Sequence, residues 1–129
     1  MHASETNFRP IIEGAKQYVV PLFQRPYSWD KKEWDVLWTD LTDLCEYPES
    51  RSHFIGSLVT MPTTSVPEGV AKYMLIDGQQ RITTIFILLA AIRDIAQQTD
   101  KQVLSSEITQ TLLVNPFRGG MDHIKLMPT

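Results

Sequence analysis

The sequence has little cysteine, no long apolar run and no excess of positive charge. With Cys45 as its 1 cysteine, the chain cannot form an internal disulfide. The longest apolar run, around residues 82–92, is interrupted by Thr83 and Thr84 and is too short to cross a bilayer, and the N-terminus carries no basic-then-apolar signal pattern. We therefore expect a cytoplasmic protein with no membrane partner.

The charge balance is slightly acidic. The 12 basic and 15 acidic residues give a net charge of -3, which argues against an extended electrostatic surface for nucleic acid. Basic side chains can still converge locally around a phosphate. With 129 residues, 43% of them hydrophobic, the chain has the size and composition of one folded domain with its own core.

A strand, a turn and a helix in the middle of the chain organise the rest. The four apolar residues at 73–76 predict a strand buried on both faces, and Asp77-Gly78 ends it. Apolar side chains then recur at helical spacing, which predicts a helix over 79–97. The free backbone N–H groups of its first turn therefore fall at about Gln79 to Arg81.

This turn has the composition of a phosphate-binding site. Gly78 lets a ligand approach the backbone, the helix N-terminus offers donors and partial positive charge, and Arg81 adds a guanidinium suited to phosphate. Asp77 is placed to hold Mg²⁺ or to orient a water. The head of this otherwise apolar helix carries five hydrogen-bonding side chains: Gln79, Gln80, Arg81, Thr83 and Thr84. The alternative is an ordinary structural turn, since Asp-Gly is common between a strand and a helix.

A second cluster of polar and aromatic residues lies at 23–29. Gln24 and Arg25 have no evident partner nearby in sequence, so we expect them to reach across to the Asp77 turn. We predict that the guanidinium groups of Arg25 and Arg81 converge on one pocket, because a polyphosphate is well bound by paired guanidinium groups. The aromatic members of the cluster, which either pack in the core or line the site, are Phe23, Tyr27 and Trp29.

Asp30 is a good N-cap for a helix predicted over 31–46, with Glu33 in the first turn. One side of this helix is apolar, and we interpret it as core: Trp34, Leu37, Trp38, Leu41, Leu44 and Cys45. Cys45 is accordingly predicted to be a small buried side chain rather than a nucleophile.

The remaining pattern predicts an α+β fold, in which helices pack on a small mixed sheet. A weaker helix is expected over 103–114, and strands are predicted near 18–22, 53–61, 71–77 and 123–127. The loop at 62–69 makes the two strands that it joins antiparallel neighbours. His53, on the first of them, either lines the pocket or has the structural role that is usual for a lone histidine.

Three segments together resemble a known family. Residues 20–29 read Val-Pro-Leu-Phe-Gln-Arg-Pro-Tyr-Ser-Trp, residues 53–57 read His-Phe-Ile-Gly-Ser, and residues 75–84 read Leu-Ile-Asp-Gly-Gln-Gln-Arg-Ile-Thr-Thr. In order and spacing they resemble the N-terminal domain of GmrSD-type modification-dependent (type IV) restriction endonucleases, a family related to the ParB/sulfiredoxin-like nucleotidase fold. The resemblance spans roughly residues 7–129.

The resemblance implies a nucleotide site and a role in phage defence. In the family, the Asp-Gly-Gln-Gln-Arg turn binds a nucleoside triphosphate and helps to hydrolyse it, coupled to DNA restriction. Mg²⁺ is the cofactor that this implies, and Asp77 would hold it. Catalysis would fall to Asp77, Gln80 and Arg81. The positions that would bind nucleotide are Gln24, Arg25, His53, Ser57, Gly78, Gln79, Thr83 and Thr84.

We expect residues 1–129 to form a single domain of this type and to be a fragment of a longer protein. In the family a separate C-terminal domain, often an HNH nuclease, cuts the DNA, so the resemblance implies DNA as a partner of the full-length protein. The motifs contain no unambiguous general base. A second interpretation therefore stays open, in which the domain is a non-catalytic sensor of nucleotide or modified DNA.

Overall fold

The computed structural model describes residues 8–21, 26–46, 58–63 and 69–127. The helices are α1 (Phe8–Ile12), α2 (Lys31–Glu46), α3 (Gln79–Gln98) and α4 (Gln102–Ile108), which continues into a π-helical turn at Thr109–Leu113. The strands are β1 (Lys16–Val19), β2 (Val59–Pro62), β3 (Ala71–Asp77) and β4 (Leu126–Met127), the last preceded by a 3₁₀ turn at Gly120–His123. No helix in these ranges is both long and apolar enough to cross a membrane.

The strands form one mixed sheet in the order β2-β3-β1-β4. β2 runs antiparallel to β3, whereas β1 runs parallel to both β3 and β4. The predicted α+β class is therefore confirmed, as are the long helices over 31–46 and from residue 79 and the antiparallel pairing of the second and third strands. A relation to the ParB/sulfiredoxin-like fold stays a prediction.

The core lies where β3 meets α1 and the first turns of α3. Its buried cluster consists of Ile12, Leu75, Ile82 and Phe86. Leu75 is fully buried, but the other apolar residues of β3 are only partly buried, so the prediction of a strand covered on both faces is wrong. Side chains alternate between the faces of a strand, and the helical core covers the face that Leu75 occupies. On that same face Tyr18 stacks on Tyr73, with ring centroids 5.6 Å apart.

Two strands begin or end away from their predicted limits. β1 covers residues 16–19 rather than 18–22, although the Val20 N–H still donates to the Met127 carbonyl at 3.0 Å. Pro21 has no N–H and cannot continue the ladder. β2 covers residues 59–62, whereas the sequence predicts a strand at 53–61, of which residues 53–57 lie outside the described ranges.

Buried polar side chains anchor the C-terminal segment to the start of the sheet. The Gln17 amide Nε2 donates to the carbonyls of Met121 and Ile124, at 2.6 and 3.0 Å. Asn115 Nδ2 donates to the carbonyls of Lys16 and Asp122, both at 2.9 Å. The predicted strand at 123–127 shrinks to two residues, Leu126 and Met127. Just before it, the Ile124 carbonyl accepts from the Gln17 side chain and the His123 carbonyl from the Asn115 N–H, whereas the Lys125 carbonyl accepts from the Tyr18 N–H of β1.

A buried lysine continues this anchoring. Lys125 is 2% exposed, and its ammonium donates to the carbonyls of Ile12 and Gly14, just beyond the end of α1. Burial lowers the pKa of Lys125, with Lys16 adding to the effect and Glu13 opposing it. The lysine thus satisfies carbonyls that α1 cannot satisfy itself.

α2 begins as predicted, but the apolar side that its sequence pattern assigns to the core is largely exposed. Asp30 Oδ1 accepts a hydrogen bond from the Lys32 N–H, and Glu33 accepts one from the Asp30 N–H, both at 3.1 Å. The second bond lowers the pKa of Glu33. Leu37 is buried, yet Trp34 and Trp38 are 45% and 56% exposed. Cys45 is exposed as well, so its predicted burial and that of both tryptophans are wrong.

Candidate functional site

The connection between β3 and α3 is a single residue, the left-handed glycine Gly78. Gly78 has φ 93° and ψ 12°, and it serves as the N-cap of α3. A side chain at this φ would strain the backbone, which is the physical reason for glycine here. No side-chain hydrogen bond caps the helix at this position. The exposed Asp77 turns back, and its Oδ1 accepts from the Gly78 N–H at 2.8 Å.

Gln79 fastens the helix to the strand that precedes it. Its side-chain Nε2 donates to the carbonyls of Ile76 and Leu75, at 2.9 and 3.2 Å. The amide group is thereby committed to the backbone of β3. This contact fixes the angle at which α3 leaves the sheet.

Gln80 joins the two motifs that are separated in sequence. Its side chain is buried, and Oε1 accepts from the backbone N–H groups of Ser28 and Trp29, at 2.7 and 3.3 Å. Nε2 donates to the carbonyl of Pro26 at 3.3 Å. An amide suits this position because it offers an acceptor and a donor at once. Gln80 therefore holds the segment 26–29 against the first turn of α3.

A chain of hydrogen bonds runs from α2 to the same turn. Thr84 Oγ1 donates to the Gln80 carbonyl at 2.7 Å, and the Trp34 indole Nε1 donates to the Tyr27 hydroxyl at 2.8 Å. The 2.7 Å contact between Tyr27 and Thr84 must then have Tyr27 as donor, because the only hydroxyl hydrogen of Thr84 is already used. The direction of every bond from Trp34 to Gln80 is thus fixed.

A comparison with protein families matches residues 8–125 to the GmrSD restriction endonuclease, N-terminal domain. The chain belongs to this family. The resemblance drawn from its motifs is confirmed, and the domain is part of a DNA restriction system. A search of the curated proteins found no match.

The described part of this GmrSD domain includes only some of the predicted site residues. Gly78, Gln79, Gln80, Arg81, Thr83 and Thr84 follow Asp77 at the head of α3, with Arg81 and Thr83 partly buried. The predicted residues Gln24, Arg25, His53 and Ser57 lie outside the described ranges. The convergence of Arg25 with Arg81 therefore stays a prediction, as do the roles assigned to all these side chains.

Sequence reasoning missed the contacts of Gln80 and Thr84 with the 26–29 segment. The signal was their spacing: two polar residues at i and i+4 lie on one side of a helix that is apolar beyond them, which indicates a shared polar partner.

Two cavities found in the described ranges lie away from this turn. They measure about 390 Å³, between α3 and α4, and about 660 Å³, beside Lys125, and are lined by other residues. The same ranges contain no group of three or more His, Cys, Asp or Glu side chains able to hold a metal ion.

Proposed function

We propose that this GmrSD domain binds a nucleoside triphosphate at the turn from Asp77 to Arg81 and hydrolyses it. The observation that carries the proposal is Gly78, a left-handed glycine that is the N-cap of a 20-residue helix without a side-chain cap. Such a helix start presents N–H donors and a partial positive charge, and glycine carries no side chain that would obstruct a phosphate. Arg81, in the first turn of the helix, adds a charge suited to phosphate oxygens.

Asp77 is the proposed metal-binding and water-orienting residue. It is the only carboxylate from residue 77 to residue 84, and it is exposed at the end of β3. A lone carboxylate fits Mg²⁺, which typically takes one or two protein carboxylates and completes its shell with water and substrate phosphates. When bound, Mg²⁺ would neutralise phosphate charge and polarise water. Asp77 would act on the phosphates through such a cation, and Arg81 would bind them directly.

Gln80 would take part by positioning rather than by chemistry, because its amide is committed to Pro26, Ser28 and Trp29. That contact holds the segment 26–29 next to the turn. Gln24 and Arg25 directly precede this segment in sequence. These two residues, with His53 and Ser57, would complete the phosphate site, as the resemblance implies. Thr83 and Thr84 would support it from the second turn of the helix.

The wider proposal is a ParB/sulfiredoxin-like nucleotidase domain whose hydrolysis is coupled to restriction of modified or foreign DNA in phage defence. A C-terminal nuclease domain outside these 129 residues would cut the DNA. The alternative is a sensor that binds nucleotide or modified DNA without hydrolysis, which the lack of an evident general base favours.

Phosphate release from ATP, GTP, CTP and UTP with Mg²⁺ tests the proposal. We expect release by the wild-type chain, none by Asp77→Asn, and weakened nucleotide binding by Arg81→Ala. Nucleotide binding without phosphate release would favour the sensor. Absence of both binding and release would overturn the nucleotide site itself.

A further inference from the structure

Two aromatic rings remain accessible beside the proposed phosphate site. Tyr27 is 38% exposed and Trp34 is 45% exposed, and we refer to the pair as the aromatic ledge. Tryptophan is usually mostly buried in folded domains, so a half-exposed indole next to a candidate site calls for an explanation.

The polar atoms of the ledge are already engaged. The Trp34 indole N–H bonds to the Tyr27 hydroxyl, and that hydroxyl bonds to Thr84 on α3. What the two residues offer to a ligand is therefore ring surface. Because the bonds also restrain the rings, little conformational entropy would be lost when a ligand packs on them.

The same bonds place the ledge close to the phosphate site. Three successive hydrogen bonds connect the Trp34 indole nitrogen with the backbone carbonyl of Gln80, in the first turn of α3. Gln80 also contacts Ser28 and Trp29, the residues that directly follow Tyr27. A ligand with its anionic end at the Asp77 turn would have the ledge beside it.

The charge of α2 favours a single small heterocycle over a strand of nucleic acid. This helix carries five acidic residues against two lysines: Lys31, Lys32, Glu33, Asp35, Asp40, Asp43 and Glu46. Lys31 is moreover paired with Asp35 at 2.8 Å. A phosphate backbone running along α2 would be repelled, whereas one base has no charge to repel.

We propose that the aromatic ledge stacks on the nucleobase of the nucleotide whose phosphates occupy the Asp77 turn. This inference rests on the proposed function and adds a base-binding surface to it. Aromatic stacking accepts any base, because every base has a π-face. The ledge should therefore raise affinity for all nucleoside triphosphates with little discrimination among the four bases.

Titration calorimetry with inorganic tripolyphosphate and with the four nucleoside triphosphates tests the proposal. We expect the wild-type chain to bind each nucleoside triphosphate roughly 5- to 150-fold more tightly than tripolyphosphate. Trp34→Leu should lose most of this ratio and keep its affinity for tripolyphosphate. Trp34→Phe should retain part of the ratio, because it keeps an aromatic face and loses only the bond to Tyr27.

Trp38→Leu is the matched control, since Trp38 lies one turn further along α2 and is also exposed. It should leave the ratio unchanged. Tripolyphosphate binding without any advantage for nucleoside triphosphates would overturn the ledge and leave the phosphate site intact. Failure of the wild-type chain to bind either ligand would overturn both. If Trp34→Leu weakens binding of a single-stranded oligonucleotide but not of nucleotides, the ledge serves DNA and the inference is wrong.

Discussion

At the scale of single residues, a substitution of Asp77 can distinguish a catalytic role of this side chain from a structural one. In the described part of the chain the Asp77 carboxylate makes one hydrogen bond, which it accepts from the adjacent Gly78 N–H. We expect Asp77→Ala to abolish phosphate release while nucleotide affinity largely survives, because the start of α3 and Arg81 still hold phosphate. The variant should lose about 1 kcal/mol of stability or less. Turnover, affinity and melting temperature measured on the same preparation check this. A destabilised Asp77→Ala with normal turnover per folded molecule would contradict the catalytic role.

The contacts of Gln80 require an amide side chain at this position. Gln80→Glu keeps the acceptor for Ser28 but turns a carboxylate oxygen toward the Pro26 carbonyl in a buried position. We expect a loss of roughly 2 kcal/mol of stability, since buried polar groups are left unpaired. Denaturant unfolding measures the loss. Gln98→Glu, on the exposed end of the same helix, is the control and should stay within about 0.5 kcal/mol of the wild type. Equal stability of the two variants would mean that Gln80 does not hold the 26–29 segment.

At the scale of elements, the β3–α3 turn depends on one backbone conformation. Gly78→Ala puts a Cβ on a residue with φ 93°, which costs roughly 1 to 2 kcal/mol for an L-residue. Gly119→Ala offers a comparison, because Gly119 has φ -106° and open space around its Cβ position. Chemical denaturation should show a loss for Gly78→Ala and almost none for Gly119→Ala. A neutral Gly78→Ala would exclude the left-handed turn.

The sequence predicts elements here better than it predicts which face each buries. The start of α2 follows from Asp30 and Glu33, whose capping bonds are local, and the start of α3 follows from Asp77-Gly78. The side of α2 that packs inward depends on which neighbouring elements are available, and periodicity carries no information about them. That is why Trp34 and Trp38 are exposed although their spacing is that of a core stripe.

The site shows the same division. The Asp77 turn is a local strand–glycine–helix signal that sequence reasoning can find. The contact of Gln80 with Ser28, by contrast, joins residues more than fifty positions apart. Polar contacts between residues so far apart leave little signal in a single sequence. The family match, by contrast, draws on residues 8–125 together.

At the scale of the whole molecule, burial of Tyr18 makes the free energy of unfolding depend on pH in the alkaline range. Desolvation raises the pKa of Tyr18 from 10.0 to about 12, and its hydroxyl donates to the Ile11 carbonyl at 2.6 Å. The folded state therefore keeps a proton that the unfolded state releases above pH 10. The stabilisation, roughly 2 to 3 kcal/mol at most, is fully present below pH 10 and is lost between pH 10 and about 12.

Urea unfolding at a series of pH values, compared between the wild type and Tyr18→Phe, isolates this contribution. Phenylalanine cannot ionise, so the variant should lose less stability across that pH window. Groups that do not interact with Tyr18 titrate in both proteins and cancel in the comparison. Parallel stability curves for the two proteins would contradict a raised pKa for Tyr18.

The strand order β2-β3-β1-β4 also determines when the domain can fold during synthesis. Tyr18 pairs with Tyr73 on one side and with Leu126 on the other. β1 is therefore synthesised early, but its second partner strand is synthesised late. The partners of Gln17 and the ammonium of Lys125 come from the same late segment. Pairings this distant in sequence slow folding, because long loops must close first. While residue 127 is still inside the ribosome, β1 therefore has one edge without its partner strand. At that stage the side-chain amide of Gln17 also lacks its acceptors.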